Sequence, residues 1–500
     1  MKLIVKITVL LVVATSFLEI NNGFAQPRFQ TTKTLAMGGA GAAYMNGFEA
    51  LFINPANIYH RRPNTSVTFG FAPFNLQLGG PLLNMTAYND NFTNGTSYSV
   101  SQLKNDIVPA FFNGEESNSA SVQLDIIPVG FTYGNDKFAI AVAARSRVIA
   151  DTRLNSGWML LMGGLNEELF GTPTAMNMSF EALALTELSV GLAMPIFNMN
   201  TENGFHRLTL GIAPKYLMAL SYAKLDLQST MEVKSGEYIS HKINYELQAN
   251  GGINDGIRNY ISDKASGNAV FSDLFDSDKK YFDNATDNIA SPSNGTGIGF
   301  DLGLTYEWEP TFNRDFKFKV AFALTDFGKV NFSENAGVFG ANGEFRFDGL
   351  DYDTDRIDAE FDGDFKNYFE YIMKDSLANA GYGDLQERGT MFSRSLPTMA
   401  NIGLAVNWKN ITYVLDIGKG FNDFGVNSTS MVFSNGVEAK FGFFPIRAGF
   451  RTGGYAGSSV TFGTGLEFRN YEFNFGALYT PSSSNGFKLG LAFSSLIIRI

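Results

Sequence analysis

The sequence predicts an all-β fold, a transmembrane antiparallel β-barrel of about 14 strands. Three observations point there. Segment after segment alternates with period two, the second face of each is built from Gly, Ala and Ser, and the connections alternate between short and long. The composition agrees. The chain has 47 Phe and 52 Gly, while only 17% of its residues are charged, against about 25% in an ordinary globular chain. Aromatic side chains suit a pleated surface better than a helical one.

The elements follow in chain order. Lys2 and Lys6 begin a basic stretch, Ile7 to Leu18 is apolar but for Thr and Ser, and Gly23-Phe24-Ala25 has the small-x-small pattern of a cleavage site. Residues 1–25 therefore read as a secretory signal peptide, with the mature chain starting at Gln26. The apolar run is too short to span a bilayer as a helix, which takes about 20 residues. The net charge of −11 argues against nucleic acid as a partner. With no cysteine there is neither a disulfide framework nor thiolate chemistry.

Beyond residue 62 the period-two pattern takes over. Phe316, Phe318, Val320, Phe322 and Leu324 alternate with Lys317, Lys319, Ala321, Ala323 and Thr325. Ile411, Tyr413, Leu415 and Ile417 alternate with Thr412, Val414, Asp416 and Gly418, and Phe487 to Ser494 repeats the device. A soluble sandwich would bury the apolar set and solvate the other with Lys, Glu and Thr. Small residues with occasional charges instead suit a crowded lumen inside a wall that faces lipid. Slipping a strand by one residue would place Lys317 and Lys319 in lipid at about 2–4 kcal/mol each near the midplane, so register is well specified.

Fourteen such segments are expected: 65–79, 121–133, 138–149, 178–196, 206–226, 296–309, 316–330, 396–408, 411–421, 429–441, 446–455, 459–468, 471–481 and 487–500. Lys409-Asn410 and Arg469-Asn470 typify the short connections, while 80–120, 150–177, 227–295 and 331–395 are long. Short periplasmic turns and long extracellular loops are the habit of outer-membrane barrels. Strand parity sends Arg145, Glu181, Glu187, Lys215, Asp301, Lys317, Lys319, Asp416, Glu438, Lys440, Glu467 and Glu472 to the lumen. Their mixed signs favour internal salt bridges over an ion-selective channel.

Within the long loops, 158–170 and 364–378 read as short amphipathic helices. Trp158, Leu160, Leu161, Phe170, Phe365 and Phe369 either pack on the rim or form an access site for an apolar ligand. Asp351, Asp353 and Asp355 open like a calcium loop, but Arg356 stands where the loop requires Gly and Asp362 replaces its closing Glu. They are weak calcium candidates, and no metal site or cofactor is expected. The run Leu35 to Tyr44 nearly matches a dinucleotide fingerprint, yet Tyr44 replaces the last small residue and no βαβ pattern follows. His60, His206 and His241 sit apart in the sequence with no Ser or Asp motif beside them, so an enzyme is not expected.

The stretch from Thr32 to Ile58 carries Met37-Gly38-Gly39-Ala40-Gly41 and Asn54-Pro55-Ala56. It resembles the amino-terminal segment of the long-chain fatty-acid transporter superfamily of outer-membrane barrels. Leu324 to Gly328 and Ser393 to Thr398 look like a Bacteroidota branch of it. The resemblance implies that residues 26–62 fold into the lumen of a barrel spanning 63–500 as a hatch, with Met37, Gly38, Gly39, Gly41, Asn54, Pro55 and Ala56 as its marks. The small residues would let the hatch backbone approach the wall closely. The resemblance also implies a protein of the bacterial outer membrane, in contact with its lipids, that binds or passively transports a hydrophobic small molecule such as a fatty acid. The alternative is a scaffold or shuttle barrel like that of type IX secretion, whose partner is a secreted or surface protein.

Overall fold

A computed structural model describes residues 30–60, 65–93, 98–270, 273, 281–282, 295–313, 315–348, 353–368, 371–372, 380–422, 424, 427, 429–453, 458–483 and 486–500. The leader expected at 1–25 lies outside them.

The wall is a closed barrel of 14 antiparallel strands. Its first strand, β1, comes in two pieces, Val67–Phe71 and Phe74–Gly80. After it come β2 (Ser117–Gly134), β3 (Ala139–Asn155), β4 (Met178–Thr201), β5 (Gly204–Lys234), β6 (Thr296–Pro310) and β7 (Phe316–Phe332). The second half comprises β8 (Met399–Trp408), β9 (Ile411–Gly420), β10 (Met431–Phe441), β11 (Phe444–Thr452), β12 (Ser459–Glu467), β13 (Tyr471–Ser483) and β14 (Gly486–Arg499). Each strand pairs with its sequence neighbour, and β14 closes the ring on both pieces of β1, Thr68 facing Arg499 and Leu76 facing Leu491. All fourteen segments expected from periodicity form wall strands.

The two faces divide as the alternation requires. Along β6, Ile298, Phe300, Leu302 and Leu304 are exposed on the outside, whereas Asp301, Thr305 and Glu307 are buried inside. An outward apolar belt is stable only against hydrocarbon, and closure leaves no unpaired strand edge there. Phe441, Phe443, Phe444, Phe468 and Tyr471 lie exposed around the short β10–β11 and β12–β13 turns. That is where a girdle of aromatic residues marks the membrane interface.

The register shifts at several points along the wall, and two of them show how a bulge re-aims side chains. In β7 the pairing with β6 shifts between Leu324 and Phe327, with Asp326 at φ 55°. This bulge turns Asp326 inward beside Thr325, although strict parity would send it to lipid. Between the pieces of β1, Ala72 (φ 45°) and Pro73 face a second bulge in β2 at Ile127-Pro128.

The expected long loops hold more structure than the sequence suggested. β5 runs for 31 residues, about three times what a bilayer crossing needs. Its outer part pairs with a strand at Tyr238–Asn250, which in turn pairs with another at Ala336–Phe347. The segments 227–295 and 331–395 are thus partly a sheet standing above the wall. Lys242, Asn244, Glu246 and Gln248 alternate there with Ile243, Tyr245, Leu247 and Ala249, and the apolar set packs against the Gly251–Ala265 helix instead of lipid. A helix at Gly251–Ala265 and a shorter one at Thr354–Glu360 complete this extension.

Candidate functional site: the lumen and its inner segment

Residues 30–60 lie inside the barrel, almost all of them buried. The segment is a chain of short local motifs. Thr31 caps the helix Thr32–Ala36 through a capping box with Thr34. Gly38 (φ 72°) and Gly39 (φ 96°) then turn the chain, and two 3-10 turns follow at Phe48–Phe52 and Pro55–Tyr59. Asn54 caps the second turn, with Pro55 at its first position.

Polar side chains fix the segment to the wall and to itself. The backbone N–H groups of Gly41 and Ala42 both donate to Asp416 Oδ2 at 2.8 Å, so the glycine run does cradle an anion, a carboxylate of the protein's own wall. Asn54 and Asn57 each donate to Ala42 O at 2.7 Å. Asn54 also donates to Thr305 Oγ1 at 3.0 Å, and that hydroxyl donates to Asn57 Oδ1 at 2.7 Å. Thr461 accepts from Gly38 N at 2.9 Å and donates to Ala36 O at 3.1 Å.

The wall makes room for this backbone with glycine. A Cβ on Gly303 would overlap the Asn54 side chain, one on Gly211 the backbone at Pro55-Ala56, one on Gly436 Met37, and one on Gly449 the Met37-Gly38 peptide. Gly70 and Gly130 leave the space filled by the Phe48 ring. Small residues were expected in the inner segment. The matching ones on the wall were not singled out, although they occupy the second face of nearly every strand.

Charged layers lie on both sides of the segment. Toward the short turns, Arg447 pairs with Glu438 and Glu467, Lys33 and Arg499 pair with Glu472, and Tyr44 Oη donates to Glu438 at 2.7 Å. On the same side His60 Nδ1 lies 3.3 Å from Glu307, which Lys317 and Lys319 also approach. Toward the long loops, Arg145 and Arg147 bind Glu187 and Asp326, and Lys215 lies 2.8 Å from Asp301 and also meets Asp326. The Arg145 guanidinium sits 4.4 Å from the centre of the Phe52 ring, so this layer clamps the tip of the inner segment. The salt-bridge reading of the lumen charges fits this geometry. Arg147, Asp326, Glu307, Arg447, Arg451 and Arg499 were missed, Asp326 because a bulge breaks parity and Arg147 because it was not read two residues beyond Arg145.

Above the outer charged layer the lumen turns apolar. Ile149, Leu183, Leu185, Leu217, Tyr222, Phe332 and Phe424 form one buried cluster, mostly from lumen-facing positions of β3, β4, β5 and β7. Higher still, Trp158, Leu160, Leu161 and Phe170 gather against Leu103, Ile107, Phe111 and Met231 in a cap between the first two long loops. The helix expected over 158–170 is broken there by Gly163-Gly164 into Gly157–Leu160 and Glu167–Phe170. Phe365 is exposed and does not join the cap, and Phe369 lies outside the described residues.

The calcium candidates are not brought together among the described residues. Asp351 lies outside them, while Asp353 accepts from Arg356 N as a helix cap. Among the described residues no group of three His, Cys, Asp or Glu side chains has metal-binding geometry. The other two histidines are held by hydrogen bonds: His206 to Thr201 and Tyr306, and His241 to Ser229 and Tyr382.

A closed even-numbered barrel with an apolar belt, short turns on one rim and long loops on the other is a bacterial outer-membrane protein. The chain belongs to the family described as "Family of unknown function (DUF5723)", whose model matches residues 62–499. No curated protein matches it. Among solved structures it is similar to the toluene transporter TodX of P. putida, at 11% identity, 94% coverage of this chain and 98% of that one, with a TM-score of 0.43. It is also similar to the toluene transporter TbuX of Ralstonia pickettii (10%, 94% and 98%, TM-score 0.39) and to a FadL homologue of Pseudomonas aeruginosa (13%, 95% and 99%, TM-score 0.40).

Proposed function

We propose that this barrel binds or passively passes a hydrophobic small molecule, such as a fatty acid, across the outer membrane, with residues 26–62 acting as its hatch. The observation that carries this reading is the apolar stretch of lumen above the charged layer, from Ile149 to Phe332. A water-filled channel is lined with polar groups. Buried leucines and aromatics at lumen-facing positions favour a molecule that leaves water readily. The gathered Trp158, Leu160, Leu161 and Phe170 supply a greasy approach from outside. Mass spectrometry of protein extracted in mild detergent should find a co-purified apolar compound, and a deletion strain should take up hydrophobic compounds more slowly. Empty protein together with unchanged uptake would overturn the proposal.

The second reading is a secretion or surface-assembly scaffold. It is favoured by the sheet that β5, Tyr238–Asn250 and Ala336–Phe347 raise above the wall. A stoichiometric protein partner recovered from native membranes would support it, and recovery of the barrel alone would count against it.

A further inference from the structure

Strands β3, β4 and β5 run side by side past the mouth of the barrel, and their inward residues change character rung by rung. Ile149 faces Leu183, and Leu183 faces Tyr222, all three in the apolar lumen. The next rung outward is Asp151, Glu181 and Lys224, and the one beyond it is Arg153, Ser179 and Asp226. At that outermost rung the wall holds a cavity of about 280 Å³, bordered also by Asn155, Asn177 and Gln228. The charged rung separates this cavity from the apolar lumen below.

Its polar groups are held in place and carry both signs. Asn177 Oδ1 accepts from Ser229 N at 3.1 Å, which orients the amide. The Asn177 carbonyl accepts from Asn155 N at 3.0 Å and from the Trp158 indole at 3.1 Å. Lys224 pairs with Asp226 from the rung below. An anion in the cavity would face the Asp226 carboxylate, and a cation would face the Arg153 guanidinium. A neutral molecule that gives and takes hydrogen bonds at several points suits both. Ser179 and the amides of Asn155, Asn177 and Gln228 are of the same kind, each combining a donor with an acceptor. The hydroxyls around a pyranose ring have that double character. Small-molecule sites begin at about 300 Å³, so the cavity has the size for one compact ring and no room for a long chain.

We propose that Arg153, Ser179 and Asp226, bordered by Asn155, Asn177 and Gln228, form an extracellular binding site for one sugar residue, presented either as a free saccharide or as part of a surface glycan. The site stands whether or not the lumen passes apolar molecules.

Ligand-observed NMR titration of the full-length protein tests it, in an amine-oxide detergent that carries no sugar. The free probes are glucose, galactose, mannose and N-acetylglucosamine, the glycan probe is the core oligosaccharide released from lipopolysaccharide by mild acid, and inorganic phosphate is the anion probe. Wild type is compared with S179L, which fills the floor of the cavity, and with Q228A, which only trims its border. Each variant is first checked for the heat-dependent gel shift of a folded barrel. Wild type should bind at least one saccharide in the millimolar range, and S179L should weaken that binding by about tenfold or more, the effect of losing about 1.4 kcal/mol. Q228A should weaken it less. A monosaccharide held as tightly as the oligosaccharide supports the site with a free sugar as its ligand, and an oligosaccharide held about tenfold more tightly supports it with a surface glycan. No saccharide binding up to about 50 mM, far above the millimolar range, overturns the proposal. So does binding that both variants leave unchanged. Binding of phosphate in place of every saccharide overturns it in favour of an anion.

Discussion

Asn54 and Asn57 illustrate how single side chains hold this molecule together. Their amides converge on one carbonyl, Ala42 O, and share the Thr305 hydroxyl, tying the inner segment to itself and to β6. A chain with no native cysteine offers a clean reporter. In an Ala42→Cys protein the thiol should resist a membrane-impermeant maleimide, and adding Asn54→Ala and Asn57→Ala should make it react. Asp326 is a second such residue, because it is shared by Arg145, Arg147 and Lys215. Asp326→Asn leaves those cations short of one charge and should cost about 3–5 kcal/mol, read from the urea midpoint of the gel shift. His241 belongs to the extension above the membrane, where burial against Ser229 and Tyr382 pushes its pKa down. A depressed histidine pKa means the folded state prefers the neutral ring. Its contribution is intact above about pH 6.5 and falls away as the pH drops through that value. Protease protection of the extension should therefore weaken between pH 7.5 and pH 5, and His241→Gln should flatten the dependence.

At the scale of elements, what matters is how wall strands meet the inner segment. Gly303 on β6 and Gly449 on β11 touch the segment where any side chain would collide with it. Gly303→Val should displace Asn54 and expose the Ala42→Cys thiol much as the double asparagine variant does. Gly389, in the extension above the wall, has no positive φ and only ordinary contacts at 3.8 Å for an added Cβ, so an alanine there serves as a control for the added bulk. The strands themselves were legible in the sequence, because lipid outside and small residues inside impose period two on all fourteen. Legibility stopped where that contrast stops. The strands at Tyr238–Asn250 and Ala336–Phe347 stand above the membrane. The first does alternate, but its apolar set, Ile243, Tyr245, Leu247 and Ala249, packs against the Gly251–Ala265 helix instead of lipid, and both lie inside segments that read as loops. Asp326 escaped for a different reason. A bulge shifts parity by one, and parity was the only rule available for placing it.

For the whole molecule, the layers stack along the barrel axis: a charged layer, the inner segment, a second charged layer, then the apolar lumen and its cap. The sequence named many of these charges but could not place them at heights, since height depends on how neighbouring strands are staggered. The stack also predicts electrical behaviour. In planar bilayers the intact protein should conduct ions poorly, and deletion of residues 30–60 should open steps like those of a porin. Large conductance in the intact protein would contradict a lumen closed by its own chain.

The glycines that line the wall opposite the inner segment also bear on the order of assembly. Contact of this kind recurs on strands from β1 to β14. The segment precedes β1 in the chain, yet β14 must seal against β1 to complete the wall. A segment seated before the last strands close would serve as the former on which the cylinder is wound. On that account, shortening this region slows barrel biogenesis itself, and a time course of membrane insertion would register the delay before any ligand is added.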